Sequence, residues 1–362
     1  MTLRPEPPFR HGTPSRTGLL LVNLGSPAEP TAAATRRYLA EFLADPRVVE
    51  IPRLVWWPIL HGIILRVRPA RSAAKYASIW MPEGSPLAVW TQRLAQGLRE
   101  AFDSAGDDVL VQHAMRYGAP GVAEGLDALR AAGASRVLVL PLYPQYASAT
   151  TASIWDAVAR WSSQARYLPE FRFVNRYGDE PAYIESLAQS VRAHWAAAGR
   201  GRMLVMTFHG LPERSLKLGD PYHCECHKTA RLLAEALGLD RAEYRVTFQS
   251  RFGRAQWLRP YTEPALQEMA AGGLERVDVI CPGFPVDCLE TLEEIAMEAR
   301  EAFLQAGGRE FHYIPCLNAS PAAVAAIAAV ARRHLQGWPL GAPAPQELEG
   351  QRQRALELGA AD

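Results

Sequence analysis

Net charge is almost absent from this chain: 39 Lys and Arg stand against 38 Asp and Glu, leaving +1. That balance gives no electrostatic reason to expect nucleic acid as a partner. Long apolar runs are absent too. No stretch reaches the roughly 18 apolar residues that a membrane-spanning helix requires, and Met1 to Gly18, rich in Pro, Arg and Thr, has no apolar segment of the signal-peptide kind. Cysteine is sparse and odd in number, at five, and follows no small secreted-domain pattern. Reduced thiols in a cytoplasmic setting are therefore expected. Apolar residues are what the chain has in quantity. At 48% of 362 residues they suffice for one large domain or two ordinary ones.

Short apolar runs bounded by Gly and Pro alternate with longer helical patterns. Residues 18–23, 109–113, 137–140, 203–206, 244–248 and 277–280 read as strands. Most lack strict polar alternation, as parallel strands covered on both faces do. The expected fold is α/β and doubly wound, with parallel sheets. The chain also echoes itself. Gly25-Ser26-Pro27 has a counterpart in Gly210-Leu211-Pro212, and Arg116-Tyr117-Gly118 in Arg251-Phe252-Gly253. The strand ending at Pro141-Leu142-Tyr143-Pro144 has one in the strand ending at Pro282-Gly283-Phe284-Pro285. Three matched elements in one order imply two similar domains, 18–175 and 176–337, with a cleft between them. Residues 1–17 and 338–362 read as loose tails. Ligands of open parallel sheets bind beyond the strand C-termini, where every matched motif lies.

The halves differ in what they place there. The first opening strand ends Asn23-Leu24-Gly25, the second Phe208-His209-Gly210. A His before Gly-Xaa-Pro is held on a tight turn at the cleft, although a lone His is more often a satisfied surface or core residue. After Pro285, an amphipathic helix is expected. Leu289, Leu292, Ile295, Ala296, Ala299 and Phe303 share one face at about 100° per residue, and Glu290, Glu294, Glu298 and Glu301 the other. A solvated acidic face suffices for Glu298 and Glu301. Glu290 sits in the first turn at a strand end, where the first half carries only Ser and Thr between Ser148 and Ser153. A ladder of carboxylates leading from a cleft could pass protons or attract a cation.

Two further stretches stand out. Residues 53–71 include Trp56, Trp57, Ile59, Leu60, Ile63, Ile64 and Leu65, interrupted by Pro58 and flanked by Arg66, Arg68 and Arg71. They are either a buried helix or an exposed lip that meets a membrane surface or covers an apolar ligand, with the arginines holding anionic groups. Tyr222 to Lys228 holds His223, Cys224, Cys226 and His227 at the opening of a helix. The spacing does not match the paired Cys-Xaa2-Cys of structural zinc. A metal or iron–sulfur site there, shared with Cys281, Cys288 or Cys316, stands against incidental thiols.

Together, residues 21–27, 141–146, 208–212, 219–222, 247–253, 257–258, 281–284 and 289–294 resemble ferrochelatase, over residues 18 to 335 or so. The resemblance implies two Rossmann-like domains around a porphyrin cleft and a metal chelatase (a lyase) of the bacterial branch. Its reaction inserts Fe2+ into protoporphyrin IX to form protoheme and releases two protons, the last step of heme biosynthesis. Ferrous iron is then a substrate, and no obligatory cofactor is implied. His209 and Glu290 match the catalytic pair, and these two with Glu294 the metal-handling residues. Glu298 continues the acidic ladder. Leu24, Arg66, Arg68, Arg71, Ser85, Arg116, Tyr117, Tyr143, Gln249 and Trp257 match substrate-binding positions, with Arg251 beside them. The lip implies peripheral contact with the inner face of the cytoplasmic membrane. A monomer or weak dimer is expected. The absence of Cys after Cys316, with Ser148 at the internal position, excludes the animal-type iron–sulfur cluster, and Cys288 stands where many relatives carry a second His. The competing readings are cobalt or nickel insertion into a less modified tetrapyrrole, coproporphyrin as substrate, and a non-catalytic two-domain binder.

Overall fold

The structure, a computed structural model, describes residues 3–253 and 255–361. Eight strands form two four-stranded sheets. The first contains β1 (Arg16–Asn23), β2 (Val109–Met115), β3 (Ala134–Pro141) and β4 (Glu170–Phe173). The second contains β5 (Leu204–His209), β6 (Tyr244–Gln249), β7 (Arg276–Ile280) and β8 (Glu310–Ile314). All pairings are parallel, and the spatial orders are β2-β1-β3-β4 and β6-β5-β7-β8, one topology used twice. The six expected strands are present. β4 and β8 were not foreseen: they are edge strands of four and five residues, largely half-buried, so they lack the continuous apolar run that marks a central strand. Leu19 to Val22, in contrast, are fully buried between β2 and β3.

In each sheet the order of winding reverses between the first and third strands, which opens a crevice beyond their C-terminal ends. The turn leaving β1 requires Gly25, with φ +105°, because a Cβ there would lie 1.8 Å from the Tyr117 carbonyl oxygen. Gly210 does the same after β5: a Cβ would lie 2.8 Å from the Gln249 carbonyl oxygen, which accepts the Gly210 N–H. Both glycines let the chain fold back over its neighbouring strand.

The two sheets share a core. Leu138 and Leu140 of the first belong to the same buried cluster as Met206 and Phe208 of the second. The Pro321–Leu335 helix, capped by Ser320, crosses back to pack on the Pro86–Ser104 helix of the first half. Arg332 pairs with Asp107, Trp338 donates to Glu170 (2.7 Å), and Thr17 donates to the Pro339 carbonyl (2.9 Å). Residues after β8 therefore stabilise the first sheet, where the sequence suggested a boundary and a loose tail. The amino-terminal stretch is docked as well: Glu6 holds Arg130 at 3.0 Å and accepts the Tyr167 N–H. Among the described residues no helix is long and apolar enough to cross a membrane.

Candidate active site

The crevice is a cleft of about 620 Å³ lined from both halves. His209, the last paired residue of β5, faces it, and Gln249 pairs with His209 in register on β6. The His209 Nδ1 lies 2.7 Å from the Gly210 carbonyl oxygen. A carbonyl only accepts, so in the neutral ring Nδ1 carries the proton and Nε2 keeps its lone pair. The Trp257 ring lies 6.5 Å away, centroid to centroid.

The acidic column rises from the end of β7. A short Leu289–Leu292 helix carries Glu290, and a π-helical turn, Glu294–Ala299, follows. The expected continuous 100° helix is not formed. The Glu298 N–H reaches back five residues to the Glu293 carbonyl (2.9 Å), and the widened turn keeps Glu290, Glu294 and Glu298 on the cleft side. Leu289 also lines the cleft, and Ile295 and Ala299 do so from the buried core that they share with Phe303. The Gln249 amide holds the start of the column by donating to the Glu290 carbonyl at 2.7 Å.

Burial, with the neighbouring Glu290 charge, pushes the Glu294 carboxyl up to about 8 against the opposing hydrogen bond from Ser250. Glu294 is thus mainly neutral at pH 7. Ser250 itself holds φ +65°, a left-handed conformation that costs a non-glycine residue energy and recurs at functional sites. Lys75 reaches in from the helix that continues the lip and pairs with Glu293 (3.0 Å) and Glu298 (2.8 Å). Burial and then the Glu290 charge push the Cys288 thiol well up, so it is a thiol and not a thiolate.

Of the sequence-predicted residues, Leu24, Arg68, Tyr143, His209, Gln249, Trp257, Glu290 and Glu294 line this one cleft. Tyr143 and Trp257 each bring a buried polar atom, Oη and Nε1, with no protein partner. Arg251, exposed over the Tyr261 ring, joins them at the rim. Arg66 and Arg71 are exposed on the lip helix and do not line the cleft. Ser85 is spent as a helix cap: its Oγ accepts the Ala88 N–H and bonds Ser26, beside a small crevice that adjoins Glu290. Arg116 and Tyr117 lie behind the wall. Arg116 pairs with buried Asp45 at 2.5 Å, and the Tyr117 hydroxyl donates to the same carboxylate at 2.8 Å.

His209, Glu290 and Glu294 share the cleft without forming a preformed ligand cage: among the described residues no three His, Cys, Asp or Glu side chains converge for a metal. Cys224 and Cys226 do not face one another. Residues two apart on a helix point about 200° apart, which leaves Cys224 exposed and Cys226 buried. Burial pushes the thiols of Cys226, Cys281 and Cys316 well up. Lys75 and Ser250 were missed. Lys75 looks like any surface lysine in sequence, and only the three-dimensional meeting of the lip helix with the column reveals it.

The lip is exposed. Leu54, Val55, Trp57, Ile63 and Val67 are solvent-facing, while Leu60 and Leu65 anchor the segment below. Pro58 sits inside the Arg53–Ile59 helix, and a second π-helical turn, Leu60–Ile64, follows it. Pro58 has no N–H to give the Leu54 carbonyl, and Leu54 is an exposed residue.

Two parallel α/β sheets around a cleft with one imidazole and an acidic column define a chelatase-type protein. SirB from Bacillus subtilis with Fe3+ shares the fold, at TM-score 0.54 and 13% identity, over 90% of this chain and 99% of that one. DR2241 from Deinococcus radiodurans, whose description notes structural similarity to chelatases, gives 0.52 and 15%, over 95% of this chain and 60% of its own. The family follows from sequence. The ferrochelatase model matches residues 16–335. A Polaromonas ferrochelatase is 63% identical over 99% of this chain and 100% of its own, and those of Methylibium petroleiphilum (63%; 98% of each chain) and Azoarcus (60%; 99% and 98%) are similar. This chain belongs to the ferrochelatase family.

Proposed function

We propose that this ferrochelatase inserts Fe2+ into protoporphyrin IX with His209 as the proton acceptor and Glu290 as the inner end of a path to solvent. Metallation removes two pyrrole protons and places one divalent ion in the ring. The observation that carries the assignment is the commitment of His209 Nδ1 to a backbone carbonyl, which leaves Nε2 as a base in the same cleft as the acidic column. A neutral carboxyl at Glu294 can release its proton outward as it receives another, so it suits a relay more than a permanent cation site. Iron is borderline and accepts imidazole nitrogen and carboxylate oxygen as transient ligands on its way to the ring.

The cleft volume and its mixed lining of Leu24, Leu289, Trp257 and Phe284 suit a flat apolar macrocycle. Tyr143 Oη and Trp257 Nε1, buried and unpartnered, together with Arg68 and Arg251, can meet its polar edges. This inventory fits two propionates better than the four carboxylates of coproporphyrin. Exposed apolar residues of the lip, flanked by Arg66 and Arg71, support a cytoplasmic protein whose lip rests on the inner face of the membrane. The two similar units, 18–175 and 176–337, flank the substrate from either side of their shared core.

The test is absorbance under anaerobic conditions. The protein, mixed with protoporphyrin IX and Fe2+ or Zn2+, is expected to yield the metalloporphyrin spectrum, and to do so faster than with coproporphyrin. Porphyrin binding without metallation would leave only a binder.

A further inference from the structure

The segment that drew notice for two Cys and two His holds a different pair from the one its cysteines suggested. On the Tyr222–Leu237 helix, His223 and His227 stand four residues apart on one face. Their ring centroids lie 4.5 Å apart with the planes tilted by 53°. An ion ~2.0–2.1 Å from one nitrogen of each ring, at an angle of roughly 100°, would set the centroids on the order of 5 Å apart, so the rings stand near the spacing of a chelating pair. Both rings are half-buried against Phe248 of β6, at 5.6 and 6.1 Å, which restricts their rotation. Neither has a hydrogen-bond partner among the described residues; burial lowers the proton affinity of both rings, and His223 and Arg241 lower that of His227 further. All of these favour the neutral ring, the form that binds metals. Neither His lines the catalytic cleft.

We propose that His223 and His227 form a docking site for a borderline divalent transition metal, distinct from the catalytic cleft and completed by water. Among the described residues no third His, Cys, Asp or Glu converges on the pair. Two protein ligands with water make an exchangeable site, not a structural one. The chemistry selects Cu2+, Ni2+, Co2+, Zn2+ or Fe2+ over Mg2+ and Ca2+, because both donors are imidazoles. Tyr222, adjacent to His223, lines the cleft, so an ion held here waits beside the catalytic site.

The probe is Cu2+, which binds imidazole most tightly of these ions. The full-length His209→Ala protein removes the catalytic imidazole as a competing site. Its first equivalent of Cu2+ is expected to give an electron paramagnetic resonance spectrum with splitting from two nitrogens. Adding His223→Gln or His227→Gln should weaken that first binding step about tenfold or more and remove one nitrogen. Circular dichroism checks that each variant is folded. If one of them is not, diethylpyrocarbonate modification of His223 and His227, read by peptide mass, should be slowed by Cu2+ in the His209→Ala parent. An unchanged spectrum and affinity in the folded glutamine variants, or no protection of the pair from modification, overturns the site.

Discussion

Both halves place a π-helical turn after their third strand: Ser148–Ala152 follows β3, and Glu294–Ala299 follows β7. The first is made of Ser, Ala and Thr, and its wall rests on the Asp45–Arg116 pair. The second carries Glu294 and Glu298 and continues from Glu290. Because the turn recurs at equivalent points of one topology, it belongs to the architecture and not to the charges it carries. A widened turn offers a place to point side chains into the cleft, and only the second half fills that place with acids. The opening strands differ likewise. The side chain of Asn23, at the end of β1, is consumed by Thr91 and the Leu24 N–H. The His209 ring, at the end of β5, spends one nitrogen on Gly210 and keeps the other. The first half ties up Asn23, Arg116 and Tyr117 in its own hydrogen bonds and offers the cleft the Tyr143 hydroxyl, whereas the second leaves an imidazole nitrogen there.

The contrast breaks most visibly at His209. His209→Ala should lower kcat about 10³-fold, within the range for loss of a general base, with porphyrin affinity changed only a few-fold; an equal loss in binding would make His209 a substrate anchor. Next comes a change in the platform. Asp45→Asn should cost about 3 kcal/mol of stability in chemical denaturation, because it removes the buried carboxylate that pairs with half-buried Arg116 and accepts from Tyr117 and Ser153, while residual activity per folded molecule persists. Burial pushes the Asp45 carboxyl up, but Ser153, the Arg47 N–H, Tyr117 and Arg116 together hold it below the ordinary 3.8. Its contribution is therefore present above that value and lost on further acidification. A collapse of chemistry without loss of stability would move Asp45 out of the scaffold.

A smaller effect is expected at Glu294. Glu294→Gln should slow turnover roughly tenfold and remove an inflection near pH 8 from the kcat profile. The sign of the stability effect is also fixed. A carboxyl raised from 4.5 to about 8 favours the fold below 4.5, and that contribution is lost as pH rises to about 8. The melting temperature of Glu294→Gln should therefore gain on wild type between pH 5 and pH 8. The smallest effect is the transplant. Thr150→Glu puts a carboxylate on the cleft side of the first π-helical turn and should not restore activity to Glu290→Gln; recovery would show that the halves are interchangeable.

Much of this was legible in sequence. Apolar runs such as Leu19 to Val22 announce central parallel strands, and the glycine turns at Gly25 and Gly210 announce the cleft. His209 and Glu290 stand out as the points where two echoing halves diverge. The edge strands β4 and β8 were not legible, since half-buried strands carry a weak apolar signal. Nor was the π-helical turn: an added residue per turn has no composition of its own, and the 100° period assumed for residues 289–303 fails there. Arg116 and Tyr117 matched cleft positions by motif, yet they are claimed by Asp45, a contact between segments about 70 residues apart.

Period, turn residues and motif order are local properties of the chain, so they suffice for the class of fold, the twofold repetition and the identity of the chemical groups. Which of those groups are free depends on the folded chain. Lys75 meeting Glu293 and Glu298, the Gly210 carbonyl selecting the tautomer of His209, and the burial that keeps Glu294 neutral all depend on backbone and side-chain positions that no window of sequence contains. A proton affinity is set by desolvation and by charges brought near in space, so it is known only when the folded neighbours are known.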